Sequence, residues 1–181
     1  MTWVRETLEV MEFYYPFADK LNPILQGVIE RKEKIEPDNP SQIKAMTTLW
    51  DLDGEKELQP LLKWINEMLF IEFLNHIPRP TRNTYFKLVE CWGIHYKKGD
   101  SIDQHDHVPS QYSFTYYVKV PKGSSPLVFT TSKHKVIPKP GKLVMFESRL
   151  QHKVPPCKCD DRFAIAGNFR HSGEKGTYGK G

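Results

Sequence analysis

The sequence predicts a mainly β protein in which short strands form a sandwich or barrel and helices pack against its outside. Before about residue 80, the apolar residues recur with the helical period of three to four. After residue 80 they alternate with a period of two, in short runs that end at Gly, Pro, Ser or Asp. Five or more short strands with no helix between them are typical of an all-β sandwich or barrel. We therefore expect one β-barrel with helical support.

Two segments in the first part of the chain predict helices. Residues 17–34 place four aliphatic side chains on one face, and Pro23 fits only near the first turn of such a helix. Residues 56–76 carry the strongest helical pattern, which ends before Pro78. We expect this second helix to buttress the barrel. The two apolar stripes are Leu21, Leu25, Val28 and Ile29, and then Leu58, Leu61, Leu62, Ile65, Met68, Leu69 and Phe73.

The second part of the chain predicts five strands, each rich in aromatic and β-branched residues. We expect a single domain over residues 1–181, with helical support (1–80), a β core (81–170) and a tail (171–181). The tail is rich in Gly and Lys, so it should be disordered or pair with a sheet edge. The predicted strands are residues 84–96, 113–120, 127–131, 142–146 and 162–169.

Composition excludes several classes of protein. The chain has 181 residues, a formal charge of +4 and 12% aromatic residues, which argues for one folded domain and against disorder. No apolar run reaches 18 residues, so we expect no membrane span, and early charges such as Arg5 and Glu6 argue against a secretory leader. Three cysteines are too few for a disulfide framework, which predicts a reducing cytoplasm. The mild charge does not predict a nucleic-acid partner.

A pair of histidines lies between two of the predicted strands. In an extended chain, residues i and i+2 point to the same side, so His105 and His107 converge while Asp106 faces away. Two neutral imidazoles on one side provide half of a site for a first-row transition metal. Such a pair is more often simply solvated, so a metal site needs support from a third ligand.

His152 supplies that support. It follows the predicted strand 142–146, about one barrel circuit after His107. A near pair and a distant third histidine, each beside a strand end, can form a three-ligand metal site with open coordination positions, and open positions indicate catalysis. The remaining histidines, which lack this context, are His76, His95, His134 and His171.

Arg162 and one face of the second predicted strand indicate an acidic co-substrate. An arginine that opens a strand usually pairs with surface carboxylates, but inside a barrel mouth its guanidinium can hold a carboxylate at two points. Ser113, Thr115 and Tyr117 share one face of their strand. Because each buried hydroxyl needs a partner, this face suits a pocket for a polar co-substrate better than a dry core.

Taken together, these motifs resemble those of the iron(II)/2-oxoglutarate-dependent oxygenases. The likeness covers residues 84–170. Within this superfamily, the motifs resemble those of prolyl-hydroxylase-type members and, more closely, those of a family of such oxygenases common in marine bacteria and their phages. The likeness implies a double-stranded β-helix (jelly-roll, cupin-like) fold, with Fe(II), 2-oxoglutarate and O2 as cofactor and co-substrates. The motifs are, in order, Tyr96-x-x-Gly99-x5-His105-x-His107, SFTYYV, PKPGKLVMFESRLQHKVPP and Arg162-Phe-Ala-Ile.

The resemblance also implies roles for individual residues. It makes His105 and His152 metal ligands, whereas His107 stands where the family normally has a carboxylate ligand. Either His107 ligates and completes a three-histidine site, which we favour, or Asp106 or Asp103 serves as the carboxylate. The residues expected to bind 2-oxoglutarate are Arg162 and Tyr117 at its C5 carboxylate, Tyr96 in the same pocket, and Thr115 from the hydroxyl-bearing face.

The implied activity is that of a hydroxylase acting on a protein side chain or a small molecule, which converts 2-oxoglutarate to succinate and CO2. One alternative is a cupin-like three-histidine dioxygenase that does not use 2-oxoglutarate, in which Arg162 would have no task. Another is a non-enzymatic barrel module that binds a partner through its dispersed lysines. We expect substrate contacts from loops 100–110 and 132–138, and an ordinary exposed loop around Cys157 and Cys159.

Overall fold

Two antiparallel sheets form the centre of the protein, whose computed structural model describes residues 10–33, 42–76 and 84–173. The six-stranded sheet has the order β1-β9-β6-β11-β4-β3, and the five-stranded sheet has the order β2-β5-β10-β7-β8. The strands are β1 (Val10–Tyr14), β2 (Ile43–Lys44), β3 (Met46–Thr47), β4 (Thr84–Tyr96), β5 (Ser101–His105), β6 (Tyr112–Lys119), β7 (Leu127–Phe129), β8 (Lys135–Val136), β9 (Lys142–Glu147), β10 (His152–Val154) and β11 (Arg162–Gly173).

This arrangement confirms the predicted mainly β, double-stranded β-helix fold with helices outside it. The described strands pair into two separate sheets and do not form one closed ring. The word barrel therefore applies to the protein only in the loose sense of two facing sheets.

The first part of the chain contributes strands that the sequence pattern did not predict. Strand β1 pairs with β9, from Val10 opposite Phe146 to Tyr14 opposite Lys142. Strand β2 pairs with β5, and β3 pairs with β4. Strands β2 and β3 have two residues each, too few for an alternating pattern to be recognised. Residues before 80 thus extend both sheets in addition to providing helices.

The two predicted helices are present. Helix α1 (Ala18–Lys32) buries three of its four predicted apolar residues fully, and Leu21 packs partly buried against the same core. Pro23 is the sixth residue of α1, deeper than the predicted first turn. It lies on the exposed side, where water can satisfy the backbone carbonyl group that a proline leaves without a partner.

Helix α2 (Gln59–His76) follows two 3-10 turns, Leu52–Gly54 and Lys56–Leu58, so the regular helix begins three residues later than predicted. Its predicted stripe packs against the core through Leu61, Ile65 and Leu69. The side chain of Phe73 lies outside the described residues. None of the described helices is long and apolar enough to cross a membrane.

The six-stranded sheet separates two apolar clusters. One cluster lies on the helix side and contains Phe114 and Tyr116 of β6 together with buried residues of α1 and α2. The other contains Tyr117 of β6 and, from the five-stranded sheet, residues such as Phe129 and Val154. The side chains of β6 therefore alternate between the two clusters, as the period of two predicts. The residues predicted to form the site lie on the second side, between the sheets.

The end of the chain also differs from the prediction. Strand β11 continues to Gly173 and pairs with β4, with His171 opposite Phe86. The first residues of the predicted tail thus pair with a neighbouring strand, one of the two outcomes that the sequence left open. Residues 174–181 of the tail, the charged start of the chain and Pro78 lie outside the described residues.

Candidate functional site

Three histidines meet between the two sheets. His105 ends β5, His107 follows two residues later, and His152 opens β10 directly opposite His105 in the antiparallel ladder. His152 is thus part of a strand rather than of the loop after one. One nitrogen of each ring lies within 4.8 Å of the others. Ring-centroid distances are 4.8 Å for His105–His107, 4.3 Å for His105–His152 and 5.1 Å for His107–His152.

Backbone groups fix this cluster. Nδ1 of His105 lies 2.8 Å from the carbonyl oxygen of Asp103, and Nδ1 of His152 lies 2.7 Å from that of Leu150. Because a carbonyl group only accepts hydrogen bonds, both Nδ1 atoms carry the hydrogen, which leaves Nε2 with its lone pair for a metal. The backbone N–H of His107 donates to Ser148 at 2.9 Å and holds the turn after β5 in place.

Burial keeps these imidazoles neutral. Desolvation lowers the pKa of His107 to about 3 and that of His152 to about 4, and the neighbouring histidines contribute to both shifts. The pKa of His105 is also lowered, mainly by burial. A neutral imidazole is the form that ligates metals. The cluster therefore offers three neutral nitrogen ligands.

The two aspartates that were candidate ligands have other partners. The Asp106 carboxylate accepts hydrogen bonds from the backbone N–H of Val108 at 3.2 Å and from the side-chain amide of Gln151. Asp103 forms an exposed ion pair with Lys44 at 2.7 Å. Neither belongs to the cluster of potential metal ligands found among the described residues.

A buried arginine lies across the same space. Arg162 opens β11, is 1% exposed, and packs its guanidinium over the ring of Tyr96 at 4.3 Å and that of Tyr117 at 5.6 Å. Burial, opposed by the charged guanidinium, raises the pKa of Tyr96 and raises that of Tyr117 to about 12. The hydroxyls of both tyrosines are therefore protonated at neutral pH and can donate hydrogen bonds. A cavity between the sheets, which we call the inner cavity, is lined by Arg162, Tyr96, Tyr117, Thr115 and all three histidines.

At the Arg162 end of the inner cavity, two buried polar atoms lack a partner among the described residues. They are the Tyr117 hydroxyl and Nε of Arg162. In the described part of the chain, Arg162 also has no carboxylate within ion-pair distance. A buried cation and a buried hydroxyl without partners are costly, and a bound carboxylate satisfies both. These atoms therefore fit one end of a dicarboxylic acid, just as the three imidazoles fit a metal ion.

The prediction of an exposed loop at Cys157 is wrong. Its side chain is 2% exposed, and its sulfur accepts a hydrogen bond from Nη1 of Arg162 at 3.4 Å. The loop turns inward because the Cys157 backbone exchanges hydrogen bonds with Gly99 and Asp100, at 2.9 and 2.8 Å. Cys159 is half-buried, and both thiols are free.

Ser113 does not line the inner cavity, unlike Thr115 and Tyr117 on the same face of β6. Its hydroxyl donates to Asn168 and contacts Ser148, each at 2.8 Å, and Asn168 in turn donates to Glu90 at 2.7 Å. Ser113 therefore belongs to an internal polar chain rather than to the co-substrate pocket.

A second, wider cavity of about 240 Å³ opens outside the histidines, and we call it the outer cavity. It shares His105, His107 and Trp92 with the inner cavity. Its wall includes part of the expected substrate loop 100–110, whereas no residue of loop 132–138 lines either of these two cavities. Other residues of the outer cavity are Trp50, Glu90, Asp106, Val108 and Arg170.

The remaining described histidines lie apart from this cluster. The ring of His95 stacks on Phe163 at 4.0 Å and lies between the carboxylates of Glu33 and Asp161. His134 stacks on Phe129 from an exposed loop, and His171 contacts Phe86 on β4. The His76 side chain lies outside the described residues.

The sequence of residues 91–170 matches the family model of the 2OG-Fe(II) oxygenase superfamily. This match confirms the resemblance drawn from the motifs. It supports Fe(II) and 2-oxoglutarate as the cofactor and co-substrate. No curated protein is a significant sequence match to the chain.

Solved structures of this class share the fold. A viral collagen prolyl hydroxylase from Paramecium Bursaria Chlorella virus-1, in its 2-oxoglutarate complex, superposes with a TM-score of 0.69 at 16% identity, over 90% of this chain and 96% of that one. A Pseudomonas putida prolyl-4-hydroxylase gives 0.67 at 20% identity, over 92% and 95%. HygX from Streptomyces hygroscopicus, bound to nickel, 2-oxoglutarate and hygromycin B, gives 0.64 at 11% identity, over 91% and 83%. At these identities the likeness establishes the fold.

The sequence pattern did not single out Trp92, which lines both cavities. A signal was available, because Trp92, Ile94 and Tyr96 alternate along β4 and therefore share the face that carries Tyr96. All three line the inner cavity.

Proposed function

We propose that this protein is an Fe(II)- and 2-oxoglutarate-dependent dioxygenase that hydroxylates a protein side chain or a small molecule. The observation that carries the proposal is one cavity holding three neutral imidazoles and a buried guanidinium without a counter-charge among the described residues. A metal chelator with a second carboxylate satisfies both groups at once, and 2-oxoglutarate has that chemistry.

Each side chain has a role in this proposal. His105, His107 and His152 hold the metal through nitrogen, and the carbonyl groups behind His105 and His152 keep their rings oriented. Arg162 and Tyr117 bind the C5 carboxylate, with Tyr96 packed against the guanidinium. Thr115 lines the same pocket.

When bound, Fe(II) and 2-oxoglutarate would supply the oxidative chemistry, in which O2, 2-oxoglutarate and a substrate C–H group yield succinate, CO2 and the hydroxylated substrate. The protein orients the co-substrate and excludes water with apolar walls such as Ile94 and Leu127. Three neutral ligands leave the metal's positive charge uncompensated within its coordination shell. We expect this charge to favour an anionic chelator, with nearby Asp106 offsetting part of it.

The absence of a carboxylate from the described histidine cluster favours a second candidate, a cupin-like three-histidine dioxygenase that does not use 2-oxoglutarate. Arg162 argues against it. Burying a guanidinium without a carboxylate partner is costly, and without a dicarboxylic co-substrate this arginine has no function to offset that cost.

The outer cavity is the expected entry for the prime substrate. Its walls include the turn after β5, Trp50 in the segment after β3, and Glu90 in the middle of β4. Structural relatives include prolyl hydroxylases and an enzyme crystallised with hygromycin B, so both peptides and small molecules stay within the proposal. The free thiols are consistent with the reducing, cytoplasmic location that we also propose.

Calorimetric titration of the metal-loaded protein tests this function. Under anaerobic conditions, 2-oxoglutarate should bind the Fe(II) protein much more tightly than the metal-free protein, because its 2-oxo and carboxylate oxygens chelate the metal. Glutarate, which lacks the 2-oxo group, is the matched control ligand and should gain far less from the metal. Equal binding of the two acids, or no binding of either, would instead support the cupin-like alternative.

A further inference from the structure

The indole of Trp92 carries the third buried polar atom without a partner among the described residues. The residue is 2% exposed, and the Tyr117 hydroxyl and Arg162 Nε are the other two such atoms. We propose that the Trp92 N–H is a hydrogen-bond donor to the metal-binding, 2-oxo acid end of the co-substrate. This inference rests on the proposed function and assigns a binding residue beyond those that the sequence motifs indicate.

The register of the six-stranded sheet places Trp92 at the opposite end of the inner cavity from Arg162. Arg162 of β11 pairs with Tyr96 of β4, and Trp92 pairs with Ala166, four residues further along. We call the Arg162–Tyr96 pair and the Trp92–Ala166 pair the two rows. At the usual rise per residue, they are roughly 13 Å apart along the strands. Side chains that reach inward from both rows can span an extended five-carbon dicarboxylate between them.

Small residues keep the space between these rows open. Ala164 lies on β11 midway between the two rows, and Ala166, which pairs with Trp92, lines the inner cavity together with Trp92 and Arg162. A methyl side chain on this strand leaves room for a ligand over the sheet. The co-substrate thus has an unpartnered cation at one end of its cavity and an unpartnered N–H at the other.

The Trp92 ring is held close to the metal ligands. It stacks on Trp50 with ring centroids 4.4 Å apart and planes at 22°, and its centroid lies 6.0 Å from that of His107. Contacts of this kind fix the orientation of the indole, so its N–H cannot readily turn to solvent. A buried donor without a partner is costly, and a carboxylate or keto oxygen bound beside His107 would offset that cost.

Nuclear magnetic resonance of the indole N–H groups tests the proposal without altering the protein. The chain has four tryptophans, so four indole signals are expected. With Zn(II) as a diamagnetic metal, addition of 2-oxoglutarate should move the Trp92 N–H proton downfield and slow its exchange with water. The Trp92→Phe variant identifies the signal, and the Trp3→Phe, Trp50→Phe and Trp64→Phe variants identify it by elimination if the first does not fold.

Affinity provides the second measurement. Trp92→Phe keeps an aromatic ring on Trp50 but removes the donor, so it should weaken 2-oxoglutarate binding about tenfold while the metal affinity stays unchanged. Trp64→Phe, the matched change at a tryptophan of α2 that lines neither cavity, should leave 2-oxoglutarate affinity within about twofold of the parent.

The outcomes separate this proposal from the function it rests on. If the Zn(II) protein binds 2-oxoglutarate but the Trp92 signal does not move and Trp92→Phe binds normally, the role of Trp92 is wrong and the function stands. If the unaltered metal-loaded protein does not bind 2-oxoglutarate at all, the proposed function itself fails.

Discussion

At the scale of single residues, the site depends on a cation that the fold buries without a carboxylate among its described partners. Arg162 contacts two tyrosine rings and one cysteine sulfur, which are weak substitutes for a counter-ion. A protein that only needed this position filled would use an apolar side chain. The arginine is therefore best explained by an anion that binds there.

Arg162→Ala should weaken 2-oxoglutarate binding by at least about thirtyfold, because it removes one member of a buried, hydrogen-bonded charge pair. Iron affinity should stay nearly unchanged, since the metal ligands lie on other strands. Calorimetry of both ligands measures the two effects. Arg31→Ala removes an exposed arginine of α1 and serves as the control. Joint loss of iron and 2-oxoglutarate binding would indicate that Arg162 has a folding role instead.

His107→Ala should lower Fe(II) affinity at least about tenfold, because it removes one of three nitrogen ligands. His107→Asp restores a ligand of the type that the family normally has at this position, so it should recover part of that affinity. His134→Ala, a change at an exposed histidine, is the control. Unchanged iron affinity in His107→Ala would assign the third ligand to an aspartate.

Local chemistry could be read from the sequence, whereas contacts between distant segments could not. The convergence of His105 and His107 follows from strand geometry and is observed. The pairing of His152 directly opposite His105 depends on which strands become neighbours, and single-sequence periodicity does not contain that information. The buried position of Cys157 depends in the same way on backbone contacts with Gly99 and Asp100.

At the scale of elements, close approach of strands and side chains explains a glycine in the middle of β11. A Cβ atom at Gly167 would lie 2.7 Å from the carbonyl oxygen of Glu90 and 2.6 Å from the Phe114 ring. Gly27 in α1 has nothing within 4 Å of such an atom. The two glycines therefore provide opposite tests of the packing.

Gly167→Ala should lower the free energy of unfolding by about 1–3 kcal/mol, because the backbone of β4 must move to make room. Gly27→Ala should raise it by roughly 0.5–1 kcal/mol, because alanine is the better helix former. Urea unfolding of the two variants measures both values. A neutral Gly167→Ala variant would show that β4 and β11 are less tightly packed than described.

Element boundaries show where sequence patterns stop being informative. The long strands β4, β6 and β9 agree with prediction within one residue at each end. The short strands β2, β3, β8 and β10, of two or three residues each, carry too few positions to show alternation and were not predicted, whereas the three-residue β7 lies within the predicted strand 127–131. They form because neighbouring segments offer unpaired backbone groups, which is a property of the assembled sheet.

At the scale of the whole molecule, the residues proposed to hold the metal and those proposed to bind the C5 carboxylate of 2-oxoglutarate lie in different sheets. His105 and His152 belong to the five-stranded sheet, whereas Arg162 and Tyr117 belong to the six-stranded sheet. A co-substrate that contacts the metal and the guanidinium together therefore connects the sheets. Ligand binding should stabilise the fold as a unit.

Each ligand at a hundred times its dissociation constant should raise the free energy of unfolding by about 2.7 kcal/mol. Thermal unfolding of the metal-free protein, the Fe(II) protein and the Fe(II) protein with 2-oxoglutarate, all anaerobic, measures these increments. Arg162→Ala should keep the metal increment and lose most of the second one. Equal increments in the variant and the parent would contradict a bridging co-substrate.

The central claim is that one cavity brings Fe(II) and 2-oxoglutarate into direct contact, and anaerobic absorption spectroscopy tests it most directly. Titration of the Fe(II) protein with 2-oxoglutarate should produce a metal-to-ligand charge-transfer band in or near the visible range, which saturates at one equivalent. In Arg162→Ala the band should require a higher concentration of 2-oxoglutarate. Absence of the band in protein shown to contain one Fe(II) per chain would contradict the account.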